Sequence, residues 1–219
     1  MEKVYSTGFM NRVILIALYA YSMSYLESAV VVYLQRALSM TPETLFPLRE
    51  QMTLGGLGSI EVGREIATLV MLAAVGWLAG RAPLERLAWT SVAFGIWDIG
   101  YYFWLWVFIG WPTNLSTTDL LFLIPLPWVA PVWAPILVSV VLSVFGLIVA
   151  RRVWRGVSLA LKPKEWLLLI VGGLVVVSSF TLDAGNIRRG GMPSSFAWPV
   201  FAAGMGIAVM GVASALRHK

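Results

Sequence analysis

The segment Ser59-Ile-Glu-Val-Gly-Arg-Glu65 sets two carboxylates four residues apart, with an arginine beside them, at the head of an apolar run. On a helix Glu61 and Glu65 share a face and Arg64 neighbours both. Two further acids interrupt apolar runs: Glu27 in Tyr25-Leu-Glu-Ser28 and Asp98 in Gly95-Ile-Trp-Asp-Ile-Gly100. Carboxylate oxygens can ligate a hard cation such as Ca²⁺, Mg²⁺ or Mn²⁺, accept a proton, or take hydrogen bonds from a polar head group. Arg64 is the only basic residue at comparable depth, so it cannot neutralise Glu27, Glu61, Glu65 and Asp98 together. An ionisable group at membrane depth costs about 2.5–3.5 kcal/mol even on lenient insertion scales, and such groups face a protein interior or a cavity. Glu27, Glu61, Arg64, Glu65 and Asp98 are therefore the expected binding set, and the first four acids would be the ligands of any hard cation. The local alternatives are Ser59 as an N-cap, with the carboxylates favoured by the helix terminus, and interhelical bonds for Glu27 and Asp98.

A second group lies in connections. Asp183-Ala-Gly-Asn-Ile-Arg-Arg-Gly-Gly-Met-Pro193 offers Asp183, Arg188 and Arg189, and Asp119 sits in another connection. These four are candidate head-group or gate residues, the arginines suited to an anionic group. Eleven tryptophans suit interfacial belts, and several would line a pocket for an apolar-tailed ligand. No residue carries a recognisable catalytic role.

Elements that place these residues follow from hydropathy. Of the 219 residues 59% are hydrophobic and 12% charged, with a mean hydropathy of +0.81. A soluble domain carries roughly 25% charged residues, so an all-α integral membrane protein is expected. Six apolar runs approach the ~20 residues that cross a bilayer. They lie near 13–35, 60–80, 87–109, 132–150, 166–183 and 197–216, and form one transmembrane domain over 1–219. The first run is too long for the apolar core of a removed signal peptide. Eleven Lys and Arg flank the spans on one side and four on the other, which points to a plasma (cytoplasmic) membrane protein with both termini cytoplasmic. The acids show the opposite bias, so the polar pocket should face outward.

Two outer connections are unusual: a long loop at 38–59, and the Pro-rich stretch 111–135. Prolines 125, 127, 131 and 135 in the latter cannot sit in a regular helix without losing ladder bonds. It is expected to be an irregular or re-entrant segment covered by protein. The basic run at 151–164 suits orientation and anionic-lipid contact.

Exclusions are as informative. Without cysteine there is no disulfide, thiolate chemistry or Fe–S cluster. His218 is the only histidine, which argues against protein-ligated haem and zinc; the cofactor stays open. The chain lacks the Ser/Arg-rich partner motif that accompanies a carboxylate pair in undecaprenyl-diphosphate phosphatases. It also lacks the histidines of membrane CAAX-type proteases, the spaced aspartates of CDP-alcohol phosphotransferases and the late-span lysine of retinal proteins. The net charge of +5 is an orientation signal, and no nucleic-acid partner is expected. Membrane lipids are the expected surroundings. The leading expectation is an outward-facing carboxylate/Arg pocket that binds a cation or polar solute, in a binding or transport role. The alternatives are an accessory subunit with membrane-protein partners and an enzyme acting on a lipid or isoprenoid head group.

Overall fold

A computed structural model of the chain describes residues 2–41, 45–47, 56–157 and 159–217. Much of the expected loop at 38–59, including Pro42, Glu43, Arg49, Glu50 and Gly55, lies outside these, as do His218 and Lys219. Among the described residues seven helices form: α1 (Glu2–Ala37), α2 (Gly56–Ala79), α3 (Pro83–Ile109), α4 (Trp133–Trp154), α5 (Pro163–Thr181), the short α6 (Ala184–Arg188) and α7 (Trp198–Arg217). Among the described residues six runs are long and apolar enough to cross a membrane, Pro163–Arg188 taking in α5 and α6 together, the composition of a multi-pass membrane protein in an all-α six-helix bundle. The 22 residues of α4 rise about 33 Å, close to the ~30 Å hydrocarbon thickness.

Local chemistry explains the helix ends. Pro83 and Pro163 open α3 and α5, where a missing N–H is harmless. Glu165 accepts the Lys162 N–H at 2.8 Å, and Gly110 ends α3 in the left-handed conformation, φ 67°, which favours glycine. Ser59, expected as an N-cap, lies inside the first turn of α2, because that helix starts three residues earlier.

The Pro-rich stretch is more regular than expected. Strand β1 (Thr118–Phe122) pairs antiparallel with β2 (Trp128–Pro131), Asp119 opposite Ala130 and Phe122 opposite Trp128, with a bulge between Leu120 and Phe122. The prolines fit without breaking a ladder. Pro125 and Pro127 occupy the connecting turn and Pro131 the strand's last position. Pro135 falls in the first turn of α4, where N–H groups have no intrahelical acceptor. Pro135 thus lies within the expected span at 132–150 and costs no ladder bond.

Packing divides the bundle unequally. Helix α3 packs against α1, α2 and α4, while α5 and α7 pair with each other. Ile16, Ala20, Leu72, Trp89, Val92 and Ala150 are buried in the first group; Val176, Phe180 and Phe201, with Ala130 and Ala134, fill the second. Without a hydrophobic drive in lipid, such pairs depend on close approach of small residues. A β-carbon on Gly172 would stand 2.6 Å from the Ala208 nitrogen, which explains the intimacy of α5 and α7. Contacts from α4 to α7, and from β2 to α4 and α5, join the two groups. A cleft remains between them.

At the end of the bundle away from the hairpin, Glu85 is buried and accepts the Arg81 N–H at 2.8 Å. Arg12 pairs with it at 3.4 Å and also lies over the Trp154 ring, 4.7 Å from its centroid. This ties α1, α3 and α4 together.

Candidate functional site

Three carboxylates and one arginine meet where α1 and α2 approach the hairpin. Glu61, Arg64, Glu65 and Thr68 recur at helical spacing along one side of α2. Arg64 pairs with Glu27 of α1 and donates to Glu61 Oε2 at 2.7 and 2.8 Å. The Thr68 hydroxyl donates to Glu27 at 3.2 Å. Glu65 turns toward the hairpin and accepts the Leu123 N–H at 2.9 and 3.0 Å. One arginine thus holds two acids, while the third fastens the β1–β2 turn.

Asp98, on α3, stands apart from that cluster. It accepts the Ser139 hydroxyl of α4 at 2.8 Å. It can do so because Gly95, one turn earlier, lets the α4 backbone come against α3 at Ser139. Asp119 accepts the Tyr102 hydroxyl at 3.0 Å and the Leu120 N–H at 2.8 Å. Burial pushes its carboxyl up to about 6, against the lowering effect of those two bonds.

All of these acids border one cleft of about 620 Å³, as does Arg64. That volume is within the ~300–1,000 Å³ of small-molecule sites. The polar residues gather at the hairpin end. Below them the walls are apolar, formed by residues such as Phe94, Leu142, Phe145, Leu169, Met205 and Val212. Lining residues on α4 run from Pro135 to Val149, about 21 Å of helix. Beyond them Leu159, Leu161, Trp166 and Leu216 border the far end. Helices α2 and α5 do not pack on each other.

No family model, curated protein or solved structure matches the chain. Its chemistry must be read from the cleft itself.

Of the residues expected to act together, Glu27, Glu61 and Arg64 are joined directly, and Glu65, Asp98 and Asp119 share their cleft. Among the described residues no three acids are grouped to hold a metal ion. Arg64 stands between Glu27 and Glu61, while Glu65 and Asp98 turn to other donors. Asp183 borders a smaller cavity of about 330 Å³, where it accepts the Ser194 N–H at 2.8 Å and hydroxyl at 2.9 Å. Arg188 and Arg189 are exposed and line neither cavity.

Several contributors escaped sequence reasoning. Ser139 was signalled only by being one of two serines in an apolar span. Tyr101 lies one turn after Asp98 and borders the cleft, a spacing that could have singled it out. The Leu123 amide had no signal, because any residue carries one. Trp97, Trp111, Trp128 and Trp166 line the cleft, whereas Trp77, Trp106, Trp133 and Trp198 are exposed.

Proposed function

We propose that this protein binds an amphiphile: its carboxylate–arginine pocket receives the polar head and the apolar length of the cleft receives the tail. The observation that carries this reading is the division of a single cleft into a polar end beside the hairpin and a long apolar remainder. A site for a small hydrated solute or bare cation has no use for that apolar length, and the separation of the acids into differently bonded groups disfavours a metal. A purely structural role would leave such charges paired around a filled interior, and the void supports binding instead. The protein is one domain of the plasma membrane with both termini cytoplasmic, and the hairpin covers the pocket from outside.

Two experiments test this. Purification in mild detergent followed by organic extraction and mass spectrometry should recover one class of amphiphile at near one per chain, and recovery of bulk membrane lipid alone in its natural proportions would overturn the reading. Because the chain has no cysteine, Asn114→Cys and Lys164→Cys each introduce a unique thiol. Impermeant maleimide added to intact cells should label the first and spare the second; the reverse pattern would invert the topology.

A further inference from the structure

The unsatisfied polar groups of the cleft specify the head group. Trp97, Asp98 and Tyr101 occupy one turn of α3, and all three line the cleft. Trp97 is 5% exposed, yet its indole N–H has no hydrogen-bond partner among the described residues. Asp98 takes one donor, the Ser139 hydroxyl, on Oδ2, and Oδ1 receives none from the described residues. The Tyr101 ring stacks at 6.4 Å on that of Trp97. Trp128, across the cleft on β2, is another lining indole whose N–H is unpaired. Buried donors without acceptors are uncommon and destabilising, so an N–H left open and a half-satisfied carboxylate that border the same cleft ask for a head group that can serve both kinds of site.

Charge narrows the choice. Glu27, Glu61, Glu65, Asp98 and Asp119 border the cleft, and Arg64, already held by Glu27 and Glu61, is the basic residue among its lining. A phosphate or carboxylate head would enter a field of acids with no uncommitted cation among the described residues of the lining to receive it. An ammonium head would satisfy Asp98 but offers no lone pair to the Trp97 N–H. A hydroxyl can both donate, as Asp98 requires, and accept, as Trp97 requires.

We infer that the cleft selects an uncharged, hydroxyl-headed long-chain molecule, of the class of monoacylglycerols, with Asp98 as acceptor and Trp97 as donor to the head. This rests on the amphiphile-binding reading above.

The test holds the tail constant and varies the head. Delipidated protein in detergent is titrated, under native mass spectrometry, with monopalmitoylglycerol, hexadecylamine, palmitate and palmitoyl lysophosphatidate. Monopalmitoylglycerol should bind about fivefold more tightly than the amine, the scale of the one hydrogen bond the amine cannot accept, and roughly 100-fold more tightly than either anion, the scale set by unfavourable like-charge contact. Trp97→Phe keeps an aromatic ring, smaller than the indole, and removes the N–H; it should weaken monopalmitoylglycerol about fivefold, the scale of one hydrogen bond, and leave the amine unchanged. An anion or the amine binding as tightly as the monoacylglycerol overturns the head-group assignment while leaving the amphiphile reading standing. Binding of none of the four removes both. Because the wild-type series needs no variant, misfolding of Trp97→Phe would not rescue the assignment.

Discussion

Two adjacent glycines of α5 make opposite predictions. A β-carbon on Gly173 meets nothing within 4 Å, and Gly173 lines the cleft. On Gly172 it would come within 2.6 Å of the Ala208 nitrogen and 2.9 Å of its Cα and Cβ. Gly173→Phe should therefore place a ring in the void without moving a helix. Replacing a mid-helix glycine also removes a backbone penalty of about 0.5–1 kcal/mol relative to alanine, so the delipidated variant should be as stable as wild type or slightly more so. Gly172→Leu must push α7 off α5, and overpacking of this kind costs about 1–3 kcal/mol. Both variants gain that backbone term, so they should differ in stability by about 1–3 kcal/mol, the overpacking cost alone, in the order Gly173→Phe above Gly172→Leu. Thermal unfolding in one detergent, read by loss of monodisperse protein, gives the order. Mass spectrometry of extracts gives the second readout: Gly173→Phe should lose the bound amphiphile. Comparison must follow delipidation, because a ligand that binds only the folded state raises apparent stability by mass action. Should Gly173→Phe melt below Gly172→Leu, or keep its ligand at wild-type occupancy, the cleft is not where the void lies and the binding reading fails.

Arg64→Met strands Glu27 and Glu61, whose side chains are 11% and 13% exposed. Loss of one partner of a buried pair costs about 3–5 kcal/mol, reduced here toward about 2 kcal/mol because Arg64 is 22% exposed; the triple variant Arg64→Met/Glu27→Gln/Glu61→Gln should recover most of it in the same thermal assay, and failure to recover would disprove the pairing. Glu65→Ala removes the acceptor of the Leu123 N–H, a bond to a charged group worth about 1.5–3 kcal/mol, so amide exchange at Leu123 should quicken by about one to two orders of magnitude while that of α3 is unchanged. Unaltered exchange would show that Glu65 does not fasten the turn. Asp119, raised by burial from 3.8 to about 6, binds its proton more tightly folded than unfolded. Its contribution to stability is complete below about pH 3.8 and is lost as pH rises through about 6. Asp119→Asn should flatten that fall in the unfolding midpoint between these values, and a wild-type slope in the variant would refute the assignment.

The fold was legible where one physical rule acted alone. Bilayer thickness sets the length of an apolar run, and the six expected spans agree with the observed helices to within a few residues at most ends; α3 and α5 begin earlier because Pro83 and Pro163 sit where a helix tolerates them. Legibility failed where two rules competed. Proline content argued against regular structure in 111–135, yet a hairpin needs only a few paired residues and can confine its prolines to the turn and strand end. Strand alternation in Thr118–Phe122 is short and apolar, giving little period to read.

The site divides along the same line. An isolated buried charge is expensive and Arg64 is the only basic residue at comparable depth in the expected spans, so one carboxylate was expected to pair with it; the sequence left open which, and Arg64 pairs with both Glu27 and Glu61. Asp98 posed the same demand but was answered by Ser139, a neutral donor. That solution depends on Gly95 allowing α3 and α4 to touch, which no spacing within either helix reports. Glu65 was answered by a main-chain amide, invisible in any sequence because every residue except proline has one. The consequence for the cleft is specific. A neutral partner that brings one donor leaves lone pairs over, whereas an arginine fork would have engaged both oxygens, so the sequence-silent choice of Ser139 is what leaves Asp98 with an oxygen that no donor among the described residues takes.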